Sequence, residues 1–517
     1  MKKREVLKAR ILSFAIAYSL MVAFVSCSNE EVIQKGTDND NDKNLTTFIT
    51  GGEEIRTSLD YSTGNFFWEA GDYIYVKDDD GTWQKSSNAP SSKVASFKYK
   101  VPGKFIANSS YEVYYPGKNG NKDQVTIPDN QTQTEPNNTA HIGTSGDCGT
   151  ATATKVADKQ EFTFTLDHQA AILVFLPYSN NEILKTCYLT KIEVNADDDI
   201  AATYTLTQST GLTGTGTGKQ IVLNTKGSGD YAEGFPLNTS SANVATNGAY
   251  MVIKPGKHKL KVRYWVKDLV SGVEGTITRA LGAFTYEKNT YYDMTASLDA
   301  HIYDGDSYYM WDAKKQYWEG WEWSKKLAEG QPTLASQPAS ENYAKVQTDV
   351  RWYQTGRNAT MKANSSCKDL PTVNEMVWYA SKGDPRWDGD EVWISMGHLH
   401  KGGMWLKKKA NISGFKADKT PDGRDWRKFR NDDSWDVSST LPSVNEATQF
   451  FYLPAMGNYL QGRLNVIDYY GFYWSSSIYP DNSSQTDYFS YYMRIRSTKV
   501  DVLGASRGYG FRVQTFE

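Results

Sequence analysis

Glu161-Phe162-Thr163-Phe164-Thr165-Leu166, followed after His168-Gln169 by Ala170-Ala171-Ile172-Leu173-Val174-Phe175-Leu176, decides the fold class. Apolar and polar side chains alternate through the first run, the period of a strand with one face buried. The second run is apolar throughout and reads as a buried strand. Further out, Lys191-Ile192-Glu193-Val194 alternates again, and Tyr250–Ile253 and Lys259–Val266 do the same. Upstream, Tyr73-Ile74-Tyr75-Val76 runs into the turn Asp78-Asp79-Asp80-Gly81. Short strands separated by polar turns predict β-sandwiches, here split into 45–165 and 166–300. A composition high in Gly, Thr, Ser, Tyr and Trp points the same way.

The tryptophans divide the chain. Trp68, Trp83 and Trp265 are the only ones before residue 300, and the other twelve lie between Trp311 and Trp474. That shift places a boundary near Asp299–Tyr303, with a separate domain over 303–517. The length accommodates about three domains.

The first residues read as an export signal, 1–27. Lys2, Lys3, Arg4, Lys8 and Arg10 precede an apolar run from Ile11 to Val25, too short for a permanent bilayer span. Phe24-Val25-Ser26-Cys27 has the pattern of a lipobox, which makes Cys27 the acylated first residue of the mature chain. Residues 28–44, rich in Asp, Asn and Lys, read as a flexible tether. Cys148, Cys187 and Cys367 form no disulfide framework or metal motif. A net charge of -3 argues against a nucleic-acid partner.

Phe48, Arg56-Thr57, Trp68, Gly71-Asp72, Ile74 and Val76, then His168-Gln169-Ala170-Ala171, then Phe284 through Tyr291-Tyr292 to Leu298, resemble in order and spacing the fimbrillin family, the pilins of type V pili. Ser28-Asn29-Glu30-Glu31 after the cysteine resembles the surface-export signal of Bacteroidetes lipoproteins. The resemblance covers about residues 20–300 and implies two tandem transthyretin-like β-sandwiches.

Beyond Tyr303 the pattern changes. Leu370-Pro371-Thr372-Val373-Asn374-Glu375 opens a short helix with a capping box between Thr372 and Glu375. Gly383 fits its C-terminal cap, and Pro385 prevents continuation. Leu441-Pro442-Ser443-Val444-Asn445-Glu446 repeats the capped start and predicts a second brief helical turn. Trp393–Ser395 and Met404–Leu406 are expected to pair about a turn at Gly402-Gly403. Strands are expected at Tyr488–Ile495 and through Val500–Val502. Leu370-Pro371-Thr372 with Glu375, Gly471 with Tyr473-Trp474-Ser475-Ser476, and Arg507 with Gly510-Phe511-Arg512 resemble the C-type-lectin-like superfamily. The nearest branch is the Fibrobacter major paralogous domain, related to the sulfatase-modifying-factor fold. The expected fold is therefore mainly β: two sandwiches followed by a mixed α+β C-type-lectin-like domain.

That branch includes formylglycine-generating oxidases, which need a reactive cysteine pair. Cys367 is the one cysteine of this domain and reads as a buried apolar residue, so no enzyme is expected and no catalytic residue is assigned. Asp384, Asp388, Asp390 and Glu391 cluster, but read as a solvated loop rather than a metal site. His398 and His400 share one face of a strand and read as surface or packing residues. No metal or cofactor is expected. Aromatic rings stack on sugars and anchor interfaces, which makes Trp311, Trp318, Trp321 and Trp387 the candidate ligand contacts.

The resemblances imply a tip or accessory pilin at the cell surface. A protease would remove the N-terminal strand, Asn44–Thr50, by cutting after Arg56, and another subunit's strand would fill the groove. Because Gly510-Phe511-Arg512-Val513 is expected to close a folded domain, the subunit would accept a strand but donate none. Its expected partners are other pilin subunits, a glycan or protein ligand on a host or bacterial surface, and the outer membrane through the lipid before processing. The alternative is a permanently lipid-anchored surface glycan-binding protein.

Overall fold

The computed structural model describes residues 2–5, 44–50, 58–62, 64, 66–355, 362–480 and 488–517. Cys27, the tether up to residue 43, and Arg56 lie outside the described residues. The molecule is mainly β, and its chain divides into two compact units.

The first unit comprises residues 1–180, 188–262 and 281–297. One of its sheets runs Trp83–Lys85, Tyr75–Lys77, Ser110–Tyr115, Gly149–Lys155, Glu161–Phe164, Leu45–Thr50, Lys98–Pro102. The alternating stretch at 161 is thus a strand, and Phe162 and Phe164 point into a core shared with Trp68, Tyr99 and Val113. The turn after Tyr75–Lys77 is held by Asp78, whose Oδ1 accepts the amides of Asp80 and Thr82 at 3.1 and 2.8 Å.

Ala171–Tyr178, the wholly apolar run, is the inner strand of a second sheet. It pairs in parallel with Thr290–Ser297 and antiparallel with Ala249–Ile253. Burial on both faces explains why its sequence does not alternate. On the far side of Thr290–Ser297 lies Lys2–Glu5, paired antiparallel from Lys2 with Asp293 to Glu5 with Thr290. Tyr188–Ala196 pairs with Gln220–Asn224 in a third sheet.

The second unit comprises residues 181–187, 263–280 and 298–517. The helix Val373–Lys382 has both bonds of the expected capping box, and Gly383 is its C-cap. Met376 and Val377 on its buried face pack with Met404, Leu453, Met493 and Val500. Beside it lies a six-stranded sheet in the order Tyr308–Tyr309, Phe511–Arg512, Tyr470–Ile478, Phe489–Arg496, Lys499–Ser506, Asp433–Asp436. A meander of Arg386–Ser395, His398–Lys407 and Phe450–Pro454 accompanies it. The repeated cap at Ser443 forms a turn leading into a single 3-10 turn, Ala447–Gln449, with Ser443 Oγ donating to Glu446 at 2.7 Å.

A hairpin joins the two strands, but with another turn and register than expected: Trp393–Ser395 pairs with His398–His400, and Met404 pairs with Trp387. The strands reverse at Met396-Gly397, with φ of 49° and 80°, and Gly402-Gly403 lies inside the strand His398–Lys407. Gly403 is there for close packing: a Cβ would stand 2.4 Å from the Leu453 carbonyl oxygen. Met396 accepts a backbone conformation that suits glycine because its side chain is buried in the core.

Candidate functional site

In Leu45–Thr50 every residue but the first is β-branched or aromatic, the composition of a well-packed strand. It occupies an interior position. Thr47–Thr50 runs parallel to Glu161–Phe164, and Leu45–Ile49 runs antiparallel to Lys98–Pro102. Phe48 is fully buried, its ring stacked on Phe162 (centroids 5.1 Å apart, planes at 16°) and edge-on to Phe105 at 5.1 Å. At the strand's end the Thr50 amide donates to the Phe97 carbonyl at 3.1 Å, and the Phe97 amide returns a bond to Thr50 Oγ1 at 2.8 Å. Withdrawing these six residues would uncover backbone donors and acceptors on two strands and leave an apolar slot the size of a phenylalanine. Such a groove accepts an extended segment, with main-chain bonds supplying affinity and the slot supplying register.

Two of the four candidate aromatic contacts in the second unit are corrected by burial. Trp311 and Trp318 are both fully buried. Trp311 donates through Nε1 to the Ser475 carbonyl at 2.9 Å, and the Arg507 guanidinium lies 4.7 Å over its ring. Trp318 packs edge-on to Tyr459, 5.2 Å between centroids. Both rings are core, so neither meets a ligand at the surface. Trp321 and Trp387 are half-buried, each packed against a different core cluster.

The acidic residues near Trp387 have separate partners. Asp384 forms a two-pronged pair with Arg386 at 2.8 Å and also meets Lys407 at 3.3 Å. Asp390 is half-buried, its side chain 3.9 Å from Lys401. Asp388 and Glu391 are buried rather than solvated, which corrects the reading of a solvated loop. Asp388 accepts from Arg263 at 3.0 Å and from Trp405 Nε1 at 3.2 Å. Glu391 accepts from the hydroxyls of Thr276 and Thr278 at 3.0 and 2.6 Å. Burial first, and the Asp388 charge second, push the Glu391 carboxyl upward, although Thr278 and Arg263 oppose the shift. Arg263 and both threonines come from more than a hundred residues upstream, a pairing no local motif announces.

His400 is a packing residue: its ring stacks on Trp393 at 4.5 Å and its Nδ1 lies 3.0 Å from Asp468. His398 sits 3.0 Å from the Thr333 hydroxyl. Among the described residues no group of three or more His, Cys, Asp or Glu is placed to hold a metal ion. Cys367 is fully buried; its sulfur accepts the Asp312 amide at 3.2 Å, and burial drives the thiol far above its ordinary range.

No family model matches this sequence, and no curated protein matches it. Solved structures similar to parts of it include a candidate cell adhesion protein from Bacteroides ovatus, at 14% identity over 49% of this chain and 93% of that one, with a TM-score of 0.31. The tip fimbrial protein Mfa3 of Porphyromonas gingivalis, C-terminally truncated, is similar at 9% identity over 48% of this chain and 94% of its own (TM-score 0.26). The fimbrial anchor protein Mfa2 of the same organism is similar at 10% identity over 46% and 82% (TM-score 0.22). At these scores the likenesses do not establish a shared fold.

Proposed function

We propose that this chain is a surface adhesin, a tip or accessory subunit of a type V pilus that joins the fibre by strand exchange. The observation that carries the reading is the placement of Leu45–Thr50. It is an interior strand, fully paired on both sides, and its removal would leave a groove instead of a trimmed edge. Proteolysis after Arg56 would release it. The second unit, with its capped helix and C-type-lectin-like reading, then serves as the adhesive domain. Phe511 and Arg512 are buried there and paired with Tyr308-Tyr309, which supports reading this strand as a structural member rather than a donor.

The test is to lock the strand. Thr47 faces Lys100 across the antiparallel pair. A Thr47→Cys/Lys100→Cys variant, oxidised, holds Leu45–Thr50 in place. Export and folding are expected to proceed, incorporation into fibres to stop, and a reductant to restore it. Undiminished incorporation of the oxidised variant would rule out exchange at this strand.

A further inference from the structure

Residues 407–430 carry nine Lys and Arg against three Asp, in a chain whose net charge is -3. This segment does not drift over the surface, because the helix Val373–Lys382 pins it. Thr372 Oγ1 donates to the Ala417 carbonyl at 3.2 Å, and Trp378 Nε1 donates to that of Lys419 at 2.7 Å. The Asn374 amide group donates to Asp425 at 2.9 Å, while its oxygen accepts the amide of buried Trp426 at 3.0 Å. Within the segment, Arg427 reaches back to the Asp418 carbonyl at 3.2 Å. A Pro421-Asp422-Gly423 turn closes with the Thr420 amide donating to the Arg424 carbonyl at 2.8 Å, which brings the stretches carrying Lys419 and Arg424 side by side.

The segment's arginines are largely engaged. Arg427 holds Asp425 with two bonds, at 2.7 and 2.9 Å, and Arg424 lies 3.6 Å from Asp422. Of the segment's lysines, Lys407 meets Asp384 at 3.3 Å and Lys409 meets Glu375 at 3.4 Å. Lys416, Lys419 and Lys428 are exposed and enter no ion pair among the described residues. Lys416 and Lys419 are three residues apart, and Arg427, next to Lys428, bonds to the Asp418 carbonyl, next to Lys419; charges on such adjoining stretches act together on a ligand that repeats its own charge.

We propose that this lysine face binds a polyanionic glycan, its sulfate or carboxylate groups seated against Lys416, Lys419 and Lys428. The inference rests on reading the second unit as an extracellular binding domain, and it supplies the chemistry of that domain's ligand. Lysine ammonium groups are compact point charges suited to isolated anionic substituents, whereas nucleic acids are recognised through arginine forks and stacked rings. Of the three rings in the segment, Trp426 is buried, Phe415 is capped by Lys409 at 4.9 Å, and only Phe429 is exposed, at 37%. That leaves no stacking platform for successive bases.

The experiment measures binding of the full chain to heparin, polygalacturonate, neutral dextran and duplex DNA, at about 0.05 and about 0.3 M salt. Binding to at least one acidic glycan, weakening with salt, is expected, with none to dextran and weaker binding to DNA. Lys416→Glu/Lys419→Glu/Lys428→Glu is expected to lose about tenfold or more in affinity, ~1.4 kcal/mol, at an unchanged thermal midpoint. The control Lys104→Glu/Lys155→Glu/Lys159→Glu, an equal charge change on exposed lysines of the first unit, is expected to leave affinity within about twofold. If the reversal lowers the thermal midpoint, the Gln triple at the same positions takes its place. No binding to either acidic polymer, equal losses in the two triples, or DNA bound as tightly as the glycans would overturn the proposal. The strand-lock experiment reads pilus assembly alone, so a negative result here leaves that reading standing.

Discussion

Phe48 holds the strand that the proposed mechanism must move. Its ring is closed in by Phe162 and Phe105, so Phe48→Ala should destabilise the first unit by roughly 3–5 kcal/mol. Urea unfolding followed by tryptophan fluorescence would show it. Glu391 makes a different kind of prediction. Its folded-state carboxyl is pushed up to about 7, first by burial and then by Asp388. The folded protein therefore binds a proton over a range where the unfolded chain has already released it. Stability contributed by this group is complete below the ordinary carboxyl value and is lost as pH rises through about 7, on the order of 1–3 kcal/mol. The groups facing it are Asp388, Arg263, Thr276, Thr278 and, more distantly, Tyr303 and Tyr452. Thermal midpoints between pH 5 and 8 should fall more steeply for the wild type than for Glu391→Gln; parallel curves would contradict the assignment. The sequence identified Phe48 and the acidic cluster. It could not distinguish a solvated Asp388 from a buried one, because the partner that neutralises it, Arg263, is remote in the chain.

At the scale of elements, local signals succeeded where the physics is local. The capping box at Thr372 and Glu375 needs only residues three apart. Thr372→Ala should cost about 1 kcal/mol, with Ser restoring most of it, in equilibrium unfolding of the second unit. The hairpin shows the opposite case. Gly402-Gly403 has the composition of a tight turn, but both glycines are needed for close approach inside a strand. The turn falls at Met396-Gly397, where burial of the Met396 side chain compensates for an awkward backbone. Trp311 and Trp318 were misleading for a related reason. A crowd of aromatic rings suggests a binding surface, yet in a stretch with few aliphatic side chains those rings fill the core.

For the molecule as a whole, the change in tryptophan density near residue 300 marks much of the second unit, but that unit also takes in residues 181–187 and 263–280. No composition shift announces those two insertions, because they are ordinary strand and turn sequences recruited by long-range contacts such as Arg263 with Asp388 and Thr278 with Glu391. A subunit that loses an interior strand and gains another chain's strand must exist in two covalent forms, and the difference is visible at its N-terminus. Mass spectrometry of the mature, surface-exposed protein tests the central claim most directly. A terminus immediately after Arg56, with Leu45–Thr50 gone from assembled material, is the predicted result. An acylated Cys27 on all of the protein, with Leu45–Thr50 retained throughout, would contradict it and favour a permanently anchored glycan-binding lipoprotein.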